Sequence, residues 1–128
     1  MKIDHIAVYC LDLEAMRDFF VKYFHATSNN LYHNKRTGLR SYFLTFPDGD
    51  VRLEIMSRPE VTSVDESLMR HGFVHLSVSV GTKEQVDRMT SELREAGYEV
   101  LSGPRTTGDG YYESVIQAPE NIQVEITE

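Results

Sequence analysis

The chain has 128 residues, 41% of them hydrophobic and 26% charged, with a formal net charge of −7 from 20 acids against 13 bases. That size and balance suit one globular domain, or two small modules sharing a core, and the acidic surface without a basic cluster opposes nucleic acid or an anionic membrane as partner and favours a small molecule. No apolar run approaches the roughly 20 residues of a membrane helix, no basic-then-apolar leader opens the chain, and the lone cysteine, Cys10, lacks an internal disulfide partner, so a cytoplasmic protein is expected.

The opening stretch KIDHIAVYC is rich in β-branched and aromatic residues and reads as a strand, with His5 inside it and Cys10 as a small buried residue at its end. Asp12 is placed to cap a helix running to about Ala26. Its Leu13, Met16, Phe20 and Phe24 recur at three- and four-residue spacing along one face. Strands are predicted over Thr27 to His33, Leu39 to Phe46 and Val51 to Ser57, and PDGD at Pro47 to Asp50 is a hairpin turn between the last two. A polar linker follows, from about Arg58 to Gly72.

The second half repeats the plan. VHLSVSV is a strand carrying His75, and Thr82-x-x-Gln85 has the form of a capping box. The helix it opens carries Val86, Met89, Leu93 and Ala96 on one face and stops at Gly97. Strands near Glu99 to Ser102, Tyr111 to Ala118 and Ile122 to Thr127 complete the half, with PEN turning where PDG turned before. Strand order, helix faces and turn positions agree, which favours duplication over two unrelated halves. The expected fold is therefore α+β, a single domain over 1–128 made of two βαβββ modules (about 1–57 and 73–128). The modules are expected to pair into a cupped, half-barrel-like mixed sheet with the helices outside.

Side chains alternate along strands, so VRLEIM places Val51, Leu53 and Ile55 on one face and Glu54 on the other. IQVEIT likewise sets Glu125 opposite Ile122, Val124 and Ile126. His5 and His75 also fall opposite apolar rows. A single strand histidine is commonly a hydrogen-bonded, half-buried residue, and a single glutamate there is commonly solvated. Repetition changes that reading: His5 and Glu54 are 49 positions apart, His75 and Glu125 are 50. Two imidazoles and two carboxylates form an N2O2 donor set suited to one divalent ion, Zn²⁺, Ni²⁺, Co²⁺, Mn²⁺ or Fe²⁺.

The stretches DHIAVYCLDLEAMRDFFVKYF, VRLEIM, VHLSVSV and APENIQVEI resemble the vicinal oxygen chelate superfamily, which includes glyoxalase I, extradiol dioxygenases, methylmalonyl-CoA epimerase and the bleomycin and fosfomycin resistance proteins. The resemblance spans essentially the whole chain. It implies paired βαβββ modules around one divalent metal, with His5, Glu54, His75 and Glu125 as ligands. A complete His/Glu/His/Glu set is most similar to glyoxalase I. The resemblance then implies a lyase or isomerase that moves a proton next to a carbonyl through a metal-bound enediolate, with Glu125 or Glu54 as general base. The substrate of such an enzyme is the hemithioacetal of methylglyoxal and a thiol. The Arg and Asn that hold glutathione in proteobacterial glyoxalase I are replaced by Tyr9 and Arg58, so the resemblance carries the metal chemistry without fixing the thiol. A homodimer is expected on the same ground. The rival readings are an Fe²⁺ extradiol-type dioxygenase using two His and one Glu, and a non-enzymatic binding or resistance protein.

Other residues stand out less. TTGDGYYES, with Tyr111, Tyr112 and Glu113, reads either as a loop closing over substrate or as a hairpin turn with aromatic strand residues. Arg36 and Arg40 are candidate anion holders or ordinary turn arginines. In HGFVH the two histidines would sit about one turn apart on a helix but roughly 13 Å apart on a strand, so His71 reads as a linker residue. His25 and His33 have no assigned role.

Overall fold

The computed structural model describes residues 2–63 and 72–128, so His71 and the middle of the expected linker lie outside the described residues. The chain divides into two compact units, Met1–Asp65 and Glu66–Glu128, each with its own helix and sheet. The expected α+β class and the repeated βαβββ plan hold in both.

In the first unit the elements run β1 (His5–Tyr9), α1 (Leu13–Phe24), β2 (Thr27–Ser28), β3 (Tyr32–His33), β4 (Arg40–Thr45) and β5 (Arg52–Ser57). Asp12 caps α1 as expected, its Oδ1 accepting from the Ala15 N–H at 3.0 Å. The helix ends at His25, a non-glycine residue in the left-handed region (φ 54°). His25 thus acts in the helix stop. The buried stripe of α1 is wider than the four residues read from spacing, because Phe19 and Tyr23 join it. It packs on Tyr42, Leu44, Leu53 and Ile55.

The open sheet has the order β1–β5–β4–β2, with β3 also on β4; β1 is parallel to β5 and the other pairings are antiparallel. The single strand expected over 27–33 is split in two. Asn29 is the reason: its side-chain oxygen accepts from the Phe43 N–H at 2.8 Å, substituting a side chain for a ladder partner, and the strand is interrupted there. The turn between β4 and β5 forms over Pro47 and Asp48, with the Gly49 N–H on the Phe46 carbonyl at 3.3 Å.

The second unit runs β6 (His75–Ser79), α2 (Lys83–Glu95), β7 (Val100–Thr106), β8 (Tyr112–Gln117), a short 3-10 turn over Pro119–Asn121, and β9 (Gln123–Thr127). Its open sheet has the order β6–β9–β8–β7, with β6 parallel to β9. Thr82 Oγ1 accepts from the Gln85 N–H at 3.2 Å, one half of the capping box. The reciprocal half is not made: the Gln85 side-chain oxygen accepts from Arg88 Nε at 2.9 Å instead. Gly97 (φ 95°) ends α2, and the Gly97 and Tyr98 N–H groups return to the Arg94 and Leu93 carbonyls, each at 3.0 Å.

Strand β7 extends four residues beyond the expected Ser102. The SGP sequence there forms a bulge within the strand. Gly103 is required in it: φ is +79°, and a Cβ would lie 2.5 Å from the Glu113 carbonyl oxygen. Between α2 and β8, Thr90 Oγ1 bonds the Val86 carbonyl at 2.6 Å and Ser114 Oγ at 2.6 Å, both side chains fully buried.

Candidate metal centre

Each sheet has a helix-covered face and an opposite face, and the strand register assigns residues to them. In the first unit Ala7 pairs with Glu54 and His5 with Arg52, so His5, Ala7 and Tyr9 of β1 share the helix-free face with Arg52, Glu54 and Met56 of β5. Leu53 and Ile55, on the other face, are buried. His5 Nε2 lies 3.8 Å from Glu54 Oε2, with the imidazole side chain 40% exposed and the carboxylate 15%. The His5 ring meets the edge of Phe43 at 5.3 Å between centroids, and Arg52 lies over that same Phe43 ring at 4.5 Å.

The second unit repeats this arrangement. Ser77 pairs with Glu125 and His75 with Gln123, while Val124 and Ile126 are buried beneath α2. His75 Nε2 lies 3.6 Å from Glu125 Oε2, with side-chain exposures of 39% and 16%. The two pairs therefore agree in register, exposure and spacing.

Both N···O separations are too long for a hydrogen bond. Two ligands of one ion, each about 2.0–2.2 Å from it, are at most about 4.4 Å apart, and both pairs fall within that limit. The half-exposed imidazole and mostly covered carboxylate keep the donor atoms reachable while anchoring the stems. Within each unit no third His, Cys, Asp or Glu among the described residues joins the pair into a larger ligand group. Each unit thus holds one imidazole nitrogen and one carboxylate oxygen side by side.

Two neighbours of these pairs escaped the sequence reading. Asp4 Oδ2 accepts from His5 Nδ1 at 2.9 Å and is also ion-paired with Arg52. The hydrogen bond from His5, then the Arg52 guanidinium, hold the Asp4 carboxyl below the usual carboxylate range. A carboxylate on Nδ1 selects the tautomer whose Nε2 lone pair is free, as a metal-binding histidine requires. In the second unit the support falls on the other ligand: Ser77 Oγ donates to Glu125 Oε1 at 2.6 Å. Both were legible in principle, Asp4 as the neighbour of His5 and Ser77 as a polar residue two positions from His75 on the same face.

Of the remaining candidates, Tyr9 is exposed on the His5 face, paired with Met56. Arg58 follows β5 and lies 3.3 Å from Glu60 through Nε. Glu113 shares the Glu125 face by register, pairing with Thr127, and lies 3.4 Å from Arg105. Tyr111 is exposed in the turn joining β7 and β8, which closes through the Thr107 N–H on the Tyr111 carbonyl at 2.8 Å. Tyr112 departs from the expected grouping. Alternation turns it to the helix side, away from Glu125, where its hydroxyl donates to Asp87 Oδ1 at 2.7 Å and Lys83 lies over its ring at 5.4 Å. Arg40 also faces a helix, donating to Glu14 Oε1 at 3.1 Å.

The sequence model of the Glyoxalase/Bleomycin resistance protein/Dioxygenase superfamily matches residues 2–126, and the chain belongs to that superfamily. The uncharacterized protein YqjT of Bacillus subtilis (strain 168) is 32% identical over 130 residues, covering 95% of this chain and 94% of YqjT. Among solved structures, the glyoxalase family protein from Enterococcus faecalis superposes with a TM-score of 0.80 at 21% identity, covering 99% and 97% of the two chains. The trypanothione-dependent glyoxalase I of Leishmania major gives 0.79 at 14% identity, covering 100% of this chain and 86% of that one. These likenesses establish the fold. Among the described residues no helix is long and apolar enough to cross a membrane.

Proposed function

We propose that the chain is a divalent-metal-dependent enzyme of the glyoxalase I type, a lyase or isomerase that transfers a proton next to a carbonyl. The observation that carries this reading is the repetition of one His–Glu pair at equivalent register in both units, 3.8 and 3.6 Å apart. His5, Glu54, His75 and Glu125 are assigned as the ligands of a single ion, whether the two units come from one chain or from two chains of a dimer. When bound, a divalent ion supplies Lewis-acid stabilisation of negative charge on adjacent substrate oxygens.

The chain's own side chains supply the rest. Asp4 holds His5 in the ligating tautomer. One of the two glutamates takes the proton from the carbon beside the carbonyl and returns it to the neighbouring carbon, so no oxidant is needed and the atoms balance as an isomerisation. The substrate class is an α-oxoaldehyde–thiol hemithioacetal, isomerised to a 2-hydroxyacyl thioester. Tyr9, Arg58, Tyr111 and Glu113 are assigned to substrate contacts. Tyr112, held by Asp87 on the helix side, is given up as one.

The test is elemental analysis of protein purified without chelators or a metal-binding tag, beside a His75→Ala/Glu125→Gln variant. About one divalent ion per chain in wild type, lost in the variant, is the expected result. Turnover of methylglyoxal hemithioacetals by the Ni²⁺ or Zn²⁺ form is expected to follow. A wild type that stays metal-free after reconstitution overturns the reading. Oxygen uptake with catechols by the Fe²⁺ form would replace it with a dioxygenase.

A further inference from the structure

The two half-sites agree in their ligands but differ in one supporting atom. In the first unit the residue paired with Glu54 across the parallel strands is Ala7; in the second, the residue paired with Glu125 is Ser77. Ser77 Oγ lies 2.6 Å from Glu125 Oε1, the short distance of a charge-assisted O–H···O⁻ bond. Glu125 Oε2 remains turned towards His75 Nε2 at 3.6 Å. One carboxylate oxygen is thus occupied and the other is presented. Ala7 offers no hydroxyl at the matching position, and among the described residues Glu54 accepts no hydrogen bond; His5 Nε2 approaches it at 3.8 Å.

We propose that Ser77 is a positioning residue that makes the two glutamates unequal. It fixes Glu125 as a rigid ligand presenting a single oxygen and leaves Glu54 as the carboxylate free to reorient. The physical ground is the rotamer freedom of a glutamate. A glutamate tied at one oxygen has already lost much of that freedom, so binding an ion at the other oxygen costs less further ordering. An untied glutamate keeps that freedom and can turn its carboxylate between rotamers. This inference rests on the metal-centre reading above and adds a division of labour between the two carboxylates.

The experiment is a Co²⁺ titration of the metal-free protein, followed by visible absorption and by calorimetry, for wild type, Ser77→Ala and Ser77→Thr. Ser77 is exposed on its strand, so thermal unfolding of the metal-free forms is expected to coincide. Removal of a supporting hydrogen bond typically costs 10–100-fold in metal affinity. Ser77→Ala is expected to weaken Co²⁺ binding by roughly tenfold or more and to shift the ligand-field band, because the carboxylate changes its mode of attachment. Ser77→Thr, which keeps the hydroxyl, is expected to restore both. Equal affinity and an unchanged band in wild type and Ser77→Ala overturn the role of Ser77 while leaving the metal centre intact. A wild type that binds no Co²⁺ overturns both.

Discussion

At the scale of single residues, local chemistry separates look-alike positions. Tyr111 and Tyr112 are adjacent aromatic residues in one Gly-rich stretch, yet one lies exposed in a turn and the other donates its hydroxyl to Asp87. The bond to Asp87, then burial and the charges of Asp87 and Glu84, push the Tyr112 phenol above its ordinary pKa. A raised tyrosine favours the neutral form in the folded chain. Its contribution to stability is therefore complete below the unfolded value of about 10 and is lost as pH rises through the higher folded value. Asp87→Asn is expected to bring the Tyr112 titration back towards about 10, read by NMR of ring-labelled tyrosine; an unmoved titration would show that Asp87 is not the cause. The sequence alone identified both histidine–glutamate pairs because period-two alternation is independent of tertiary context. It did not identify Ser77 as a support, since a hydrogen bond between neighbouring strands depends on register, which a single strand does not reveal.

Elements were most legible where a cap or a stop had a specific residue. Asp12, Thr82 and Gly97 each mark a helix end by satisfying backbone groups that the helix leaves open, and all three perform that task. Elements were least legible where a breaker sits inside a strand. The expected strand stops at Ser102, just before Gly103 and Pro104, yet the strand passes through them as a bulge. The Asn29 interruption is the converse, a strand-compatible stretch broken by one side chain that competes for a ladder bond. The hydroxyl pair joining α2 to β8 was invisible for a similar reason: Thr90 and Ser114 are polar residues whose partners lie 24 positions apart. Thr90 directs its one proton to Val86, so Ser114 donates to Thr90. Thr90→Val leaves the buried Ser114 hydroxyl without that partner and is expected to cost about 1–3 kcal/mol in urea unfolding. Adding Ser114→Ala is expected to recover part of the loss, because an apolar pair leaves no polar group unsatisfied. A double variant as unstable as the sum of the singles would mean the two hydroxyls are not coupled.

For the whole molecule, duplication repeats one arrangement in two units. Each holds one histidine–glutamate pair on the helix-free face of its sheet. Repetition was what raised the metal reading above an ordinary strand histidine, and it was readable because strand, helix and turn recur in the same order. Whether the units pair within a chain or between chains was not readable, since the linker length permits either.

The placement of the donors has a further consequence. In both sheets the histidine comes from the outermost strand, β1 or β6, and the glutamate from the strand beside it, β5 or β9. Within its sheet, an outermost strand has hydrogen-bonded neighbours on one side only, and such strands are among the first to part from a fold. A cation clasping histidine and glutamate would stitch each rim to the strand inside it. Backbone amides of β1 and β6 are therefore expected to exchange with deuterated water markedly more slowly after Zn²⁺ is added, while those on the buried stripes of α1 and α2 change little. Slowing spread evenly over the chain would argue against a rim clasp. On this view a bound metal ion would also be a fastening that keeps two outermost strands from fraying.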